Sequence, residues 1–367
     1  MIDGLEFGGG ERVFLQLASG LKKRYKILVA TNTDGKFAHD LKELGIELFS
    51  LDLTRQVAFK PIRQIRDIIR RNKIDLVHSQ GARADFFTRV AASIADSPHV
   101  LCTVAMPVEG FDVGPLRKSI YRLLEYLSGR FVKRFIVVSD SLKRVLIEER
   151  RISSERVVRI YNGIEMDQYH PDLKKTDVRN QLSISNSEPL IGAIGRMVWQ
   201  KGFEFLIRAI PEILEVAPET RFLLVGQGPL RADLESLARQ LNVSENIRFA
   251  GFRSDIQHVL SAIDILVVPS ILEGFPIITL EAMAMEKPIV ATRISGISEQ
   301  VADLKEAILV PPKNSSALAT ASLRLIEDKK LASRLGMAAR KKIERCFSIE
   351  KMIHETEQVY LSLLKTD

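Results

Sequence analysis

The feature that most constrains the fold of this chain is a rhythm. Short apolar, β-branched runs recur along its length, with helical patterns between most of them. Runs at 26–31, 75–79, 99–104, 135–139 and 156–161 make a first series, and runs at 190–195, 221–225, 246–249, 264–269, 288–292 and 307–310 make a second. Strands alternating with helices long enough to cross over a sheet predict βαβ units and parallel sheets, an α/β chain. Between the series, 166–188 is polar, lacks a strong period and contains Pro171, with Pro189 just after it. It reads as a linker. The expected plan is a first doubly wound domain at 1–165, a linker at 166–188, a second domain at 189–345, and a C-terminal stretch, 346–367, whose helix packs back on the first domain. Two such domains would face each other across a deep cleft, with ligands at the carboxyl ends of the strands.

The chain has 367 residues, 46% hydrophobic and 27% charged, enough for two ordinary domains with full cores. Its two cysteines, Cys102 and Cys346, lie too far apart in sequence to suggest a disulfide framework, which points to a reducing compartment. No signal pattern opens the sequence, and no apolar run approaches the ~20 residues of a membrane span. The expectation is a cytoplasmic protein with possible peripheral contact at the inner face of a membrane. Charge is uneven: residues 1–165 carry 28 Lys+Arg against 20 Asp+Glu, a balance of +8, within an overall +7. A basic first half fits an anionic partner such as an acidic acceptor or a lipid surface, or serves solubility alone. Nucleic acid is a poor fit, because the cations are not interleaved with stacking aromatics.

Four loops carry candidate chemistry. Gly8-Gly9-Gly10 precede a helical run from Val13, and glycines there allow backbone N–H groups to approach a phosphate; a plain turn needs the same residues. After the run at 190–195 comes Gly195-Arg196-Met197-Val198-Trp199-Gln200-Lys201-Gly202, with two cations five apart. They can converge on a diphosphate or sit in a solvated loop. The run at 221–225 ends in Gly226-Gln227-Gly228-Pro229, a tight turn at a sheet edge. Finally, Glu273-Gly274-Phe275-Pro276 follows an apolar strand, and Glu281 lies two turns into the next helix. Two carboxylates flanking a helix N-terminus can hold hydroxyls while free N–H groups hold oxygens, which suits a ligand that is both polyol and anion.

In this order the motifs resemble the retaining glycosyltransferases of family 4, which have the GT-B fold. The resemblance runs over nearly the whole chain, through Gly8-Gly9 with Glu11-Arg12, Tyr161-Asn162-Gly163, Gly195-Arg196 with Lys201-Gly202, Gly226, and Glu273-Gly274-Phe275-Pro276 with Glu281. It implies that Arg196 and Lys201 bind the donor diphosphate, that Glu273 holds sugar hydroxyls beside the N–H groups of Gly274 and Phe275, and that Glu281 binds the ribose. It places Phe252 and Arg253 near the base and Gly8, Gly9 and Gly10 near the phosphate. Fixed cations aimed at a leaving diphosphate can serve where other transferases use a divalent ion. No Asp-x-Asp pair or His/Cys/Asp cluster at ligand spacing stands in the sequence, so metal-independent transfer is expected, with no cofactor beyond the nucleoside-diphosphate sugar itself.

Two departures qualify the resemblance. Family members commonly open with a full apolar strand before the glycine loop, whereas here Met1-Ile2-Asp3 supplies almost none. This predicts either upstream residues or a weakened first domain. Many relatives carry His where this chain has Ala105, and alanine can neither donate a hydrogen bond nor take a proton. His78 is a second candidate on the acceptor side. The acceptor is expected to be a saccharide or a lipid-linked sugar, with 106–114 as a possible wall and the basic amphipathic stretch 115–134 as a possible membrane surface or an ordinary packed helix. The alternatives are a sugar-nucleotide-binding protein with impaired turnover and a sugar-nucleotide epimerase on the same fold.

Overall fold

The computed structural model describes residues 1–2, 4, 8–51, 53, 59–95, 99–107, 110, 114–173 and 176–365. Most of the loop at 106–114, including Glu109, Phe111 and Asp112, lies outside them. Six strands come first: β1 (Leu28–Thr31), β2 (Glu47–Ser50), β3 (Leu76–Gln80), β4 (His99–Val104), β5 (Arg134–Val137) and β6 (Val157–Arg159). The helices among them are α1 (Gly9–Leu21), α2 (Lys36–Glu43), α3 (Phe59–Asn72), α4 (Ala82–Ser93), α5 (Pro115–Gly129) and α6 (Asp140–Arg144). After α7 (Thr176–Gln181) come β7 (Leu190–Ile194), α8 (Phe203–Val216), β8 (Arg221–Val225), α9 (Arg231–Gln240), β9 (Ile247–Gly251), α10 (Ile256–Ala262) and β10 (Ile265–Val268). The order continues with α11 (Ile277–Ala284), β11 (Ile289–Thr292), α12 (Ser295–Gln300), β12 (Ile308–Val310), α13 (Ser315–Glu327), α14 (Lys329–Cys346) and α15 (Ile349–Leu364). All eleven expected runs contain strands. The twelfth strand, β2, has no β-branched residue and two exposed ends, so it carried little pattern to read.

The chain forms two compact units, Met1–Gly163 with Ile349–Asp367, and Ile164–Ser348. In the first, β3-β4-β5-β6 make a parallel sheet, and β1-β2 make a separate parallel pair. Met1 and Ile2 lie between them: Ile2 N–H donates to Ala30 O, and Gln80 N–H donates to Met1 O at 3.0 Å. Beyond those two residues the slot is a cavity of about 260 Å³. The last helix, α15, packs on α1, where a Cβ on Gly20 would come within 2.3 Å of Ile353.

The second unit is built on one six-stranded parallel sheet, β12-β11-β10-β7-β8-β9. Its four inner strands read IVAT, ILVV, LIGAI and RFLLV across the sheet and are buried almost throughout, as a sheet covered by helices on both faces requires. The expected linker differs from what folds. The described residues of 166–188 group with this unit, and Arg179, which is only 1% exposed, anchors the end of the stretch. Its guanidinium donates to Ala262 O at 2.8 Å, Ser185 O at 2.7 Å and Glu188 O at 2.9 Å, and pairs with Asp264 at 2.7 Å. A polar sequence hid a buried cation whose donors are satisfied by two nearby carbonyls, one distant carbonyl and the Asp264 carboxylate.

Candidate active site

Strand order explains the site. The first strand of the second sheet, β7, lies beside the fourth, β10, while the chain winds outward in opposite directions from each. Loops leaving two such neighbours splay apart and open a crevice at the carboxyl ends of the strands. The loop after β7 contains Arg196 and Lys201, and the loop after β10 contains Glu273.

Backbone contacts set these loops closely. Gly226 has φ +136°, and a Cβ there would stand 1.8 Å from Gly195 O; one on Gly228 would stand 2.4 Å from Met197 O. Met197 N–H donates to Gln227 O at 2.8 Å. The turn Trp199–Lys201 is tied to the neighbouring loop because Gln200 O accepts from Ile271 N–H at 2.7 Å. Gly202 closes this turn in the left-handed region at φ +60°, its missing Cβ leaving room for Pro269 O.

The result is an ion pair across 72 residues of sequence. Lys201 Nζ donates to Glu273 Oε1 at 2.6 Å, and Ser270 Oγ donates to the same oxygen at 2.8 Å. Glu273 is buried, while the lysine side chain keeps 23% of its surface. One ammonium thus reaches both the buried carboxylate and the solvent side of the loop. Beyond Glu273, the buried Gly274, Phe275 and Pro276 lead into α11. The residue before that helix, Pro276, makes no side-chain cap, so first-turn N–H groups can meet an anion. Thr279 Oγ1, in the same turn, is buried without a hydrogen-bond partner among the described residues. Phe275 stacks edge-on against Phe347 at 5.4 Å, and Gln300 Nε2 donates to Pro276 O at 2.8 Å, which fixes the approach to the helix.

Glu281, one turn further in, is 2% exposed and accepts from the Tyr169 hydroxyl at 2.6 Å. Tyr169 was not anticipated, because it lies in the stretch read as linker and nothing local marks it. Ser270, just past the apolar run at 264–269, carries no distinguishing local signal. Arg196 is exposed at the end of β7. Phe252 is exposed, but Arg253 is engaged locally, its Nε and Nη2 donating to the Asp255 carboxylate at 2.9 and 2.6 Å.

The remaining candidates belong to the first unit. Gly8 caps α1, its N–H donating to Glu11 Oε2 at 3.0 Å, and Gly9 and Gly10 form the first turn. Ala105 follows β4 and lines a cavity of about 210 Å³ together with Gln80, Arg83, Asp85, Tyr121 and Glu125. His78 is placed otherwise than expected. One ring nitrogen is 2.7 Å from the Tyr360 hydroxyl and the other 2.7 Å from Thr103 Oγ1, so both are occupied within the unit. Burial pushes its pKa down to about 3. It is a neutral cross-brace between β3, β4 and α15. Among the described residues no group of three or more His, Cys, Asp or Glu side chains is arranged to hold a metal ion.

Two α/β units with parallel sheets, the second with its polar loops at the strand switch, define a GT-B glycosyltransferase fold. Solved structures share it over nearly the full chain: Anabaena HepE in complex with UDP and glucose at 23% identity and TM-score 0.86, covering 99% of this chain and 98% of that one, and a Rickettsia africae glycosyltransferase at 23% identity and TM-score 0.82, covering 100% and 98%. The family models "Glycosyltransferase Family 4" and "Glycosyl transferases group 1" match residues 7–168 and 174–342, and the chain belongs to this glycosyltransferase family. It is 25% identical, over 97% of its length and 94% of the relative's, to an Escherichia coli UDP-Gal:alpha-D-GlcNAc-diphosphoundecaprenol alpha-1,3-galactosyltransferase. It is 26% identical, over 88% of each chain, to a Campylobacter jejuni N,N'-diacetylbacillosaminyl-diphospho-undecaprenol alpha-1,3-N-acetylgalactosaminyltransferase.

Proposed function

We propose that this chain moves a sugar from a nucleoside-diphosphate sugar to a saccharide or lipid-linked acceptor, with retention at the anomeric carbon and without a metal ion, at the cytoplasmic side of a membrane. The single observation that carries the reading is the Lys201–Glu273 pair, set at the strand switch beside the uncapped start of α11. Cleaving a glycosyl–phosphate bond leaves negative charge on the departing diphosphate. An ammonium already fixed by a buried carboxylate meets that charge without reorganising. Arg196, exposed on the same loop, adds a second cation. Glu273, held by Lys201 and Ser270, presents its remaining acceptor capacity to sugar hydroxyls. Glu281, oriented by Tyr169, takes the ribose. The Escherichia coli relative's UDP-sugar donor and diphosphoundecaprenol acceptor, and the UDP and glucose bound by the Anabaena structure, support the choice of donor and acceptor class.

The test is a thermal-shift panel of UDP-, GDP- and ADP-sugars with and without chelator. One donor at about a hundred times its dissociation constant should add about 2.7 kcal/mol of stability. A panel with no shift for any nucleotide contradicts the reading. A second reading, donor binding with impaired turnover, is favoured by Ala105, whose methyl group can neither donate a hydrogen bond nor take a proton where the family resemblance implies an imidazole. Turnover gained on Ala105→His would assign the deficit to that position.

A further inference from the structure

A third loop, the one leaving β11, braces the loop that carries Glu273. Strand β11 lies beside β10, and Val268 stands opposite Ala291 at the last rung of their ladder. One residue further on, Thr292 is fully buried, and its hydroxyl donates to Ser270 O at 2.5 Å. The side chain takes over where the backbone ladder stops. It fixes Ser270, which is 1% exposed and whose own hydroxyl donates to Glu273 Oε1. Gly296, in the first turn of α12, meets the same loop. A Cβ there would stand 2.5 Å from Gly274 O and 2.7 Å from Glu273 O, so glycine is needed for the two backbones to approach this closely.

This brace decides how the Glu273 carboxylate is presented. Lys201 Nζ and Ser270 Oγ both donate to Oε1, which fills that oxygen's two acceptor sites. Among the described residues Oε2 makes no hydrogen bond, and it is left for a ligand hydroxyl. Turning the carboxylate over would exchange the two oxygens. Ser270 therefore selects which oxygen is left, and Thr292 sets where Ser270 stands.

We infer that Thr292 and Gly296 are positioning residues for the donor sugar. They hold Ser270 and Glu273 so that one carboxylate oxygen alone meets the sugar, and they thereby set which arrangement of hydroxyls the site accepts. The inference rests on the proposed role of Glu273 with sugar hydroxyls. The ribose is assigned to Glu281, so losing the brace should change how the sugar is read far more than how the nucleoside diphosphate binds.

Two experiments test it. The first needs no ligand: a double-mutant cycle of Thr292→Val with Lys201→Met, read by Trp199 fluorescence in urea. The shift in the unfolding equilibrium caused by Lys201→Met should be about fivefold smaller in the Thr292→Val background, and Thr292→Ser, which keeps the hydroxyl, should leave it as in wild type. Additive effects overturn the inference. The second reads the sugar, with UDP-glucose and UDP-galactose as probes. In kcat/KM for donor cleavage the wild type should favour one of them by about tenfold or more. Thr292→Val and Gly296→Ala should each reduce that preference about fivefold, with UDP affinity changed by less than about twofold, and Thr292→Ser should keep it. A preference that survives both substitutions, or that falls only in step with UDP affinity, assigns the two residues to folding alone and overturns the inference. Coupling in the cycle without binding of UDP or either UDP-sugar would contradict the transferase reading and not the brace.

Discussion

The first unit should lose stability to acid in part through His78, which comparison with a His78 variant isolates. In the folded chain its ring is held neutral by burial, with a pKa of about 3. In the unfolded chain it titrates at its ordinary value of about 6.5. A depressed folded pKa means that the stability is fully present above pH 6.5 and drains away as pH falls from there toward 3. At pH 5 the unfolded ring is almost fully protonated and the folded ring is not. The loss relative to pH 7 is then set by the distance from 6.5 to 5, and comes to about 2 kcal/mol, roughly a thirty-fold shift in the unfolding equilibrium. The assay is urea denaturation of the wild type and His78→Asn at pH 7 and pH 5, followed by far-UV circular dichroism. The variant loses two hydrogen bonds and starts less stable, but the wild type should show about 2 kcal/mol more loss between the two pH values. Trp199, the sole tryptophan, lies in the second unit, and its fluorescence transition should show no such difference. In the imidazole proton spectrum, His78 should stay untitrated down to pH 5. A His78 resonance titrating near pH 6.5, or equal acid sensitivity of the two proteins, would refute the reasoning.

Removing Lys201 alone (Lys201→Met) leaves the buried Glu273 carboxylate with Ser270 as its hydroxyl donor, and should destabilise the second unit by about 3 kcal/mol, read from Trp199 fluorescence in urea. Adding Glu273→Gln should recover most of that stability without restoring transfer; recovered transfer would show that the lysine serves only to balance the glutamate. Tyr169→Phe should weaken nucleotide binding about fivefold, the value of one hydrogen bond of about 1 kcal/mol, and Glu281→Ala should weaken it more. Unchanged affinity in calorimetry for both would remove Glu281 from the ribose site. Gly226→Ala should cost about 2 kcal/mol or more in urea, since its Cβ would collide with Gly195 O and its φ is positive. A neutral result would mean that the two loops do not meet as closely as described.

The strands were legible because buried parallel strands are apolar on both faces, and β7, β10 and β11 can be read directly as such. The Lys201–Glu273 pair was legible only as two separate motifs; their contact depends on β7 lying next to β10, a neighbour relation that no local pattern encodes. Arg179 and Tyr169 were illegible for a related reason. Each sits in a polar stretch, and each is fixed by groups far along the chain, Asp264 and Ala262 for one and Glu281 for the other. His78 could be offered only as a candidate, because a lone histidine at a strand end carries the same local signature whether it meets a ligand or, as here, Tyr360 and Thr103. On α5 the amphipathic period was plain, but the period does not say which side faces the core.

The central claim concerns how the leaving diphosphate is stabilised, and single-turnover cleavage of the donor sugar measures that step. Wild type and Lys201→Met would be compared at saturating donor, with chelator and with added Mn²⁺. The expected result is a rate in wild type that is indifferent to chelator, and a rate in Lys201→Met lower by about a hundredfold or more. Donor dissociation constants should differ far less than the rates. Loss of wild-type cleavage in chelator with recovery on Mn²⁺, or a wild-type rate in Lys201→Met, would contradict it.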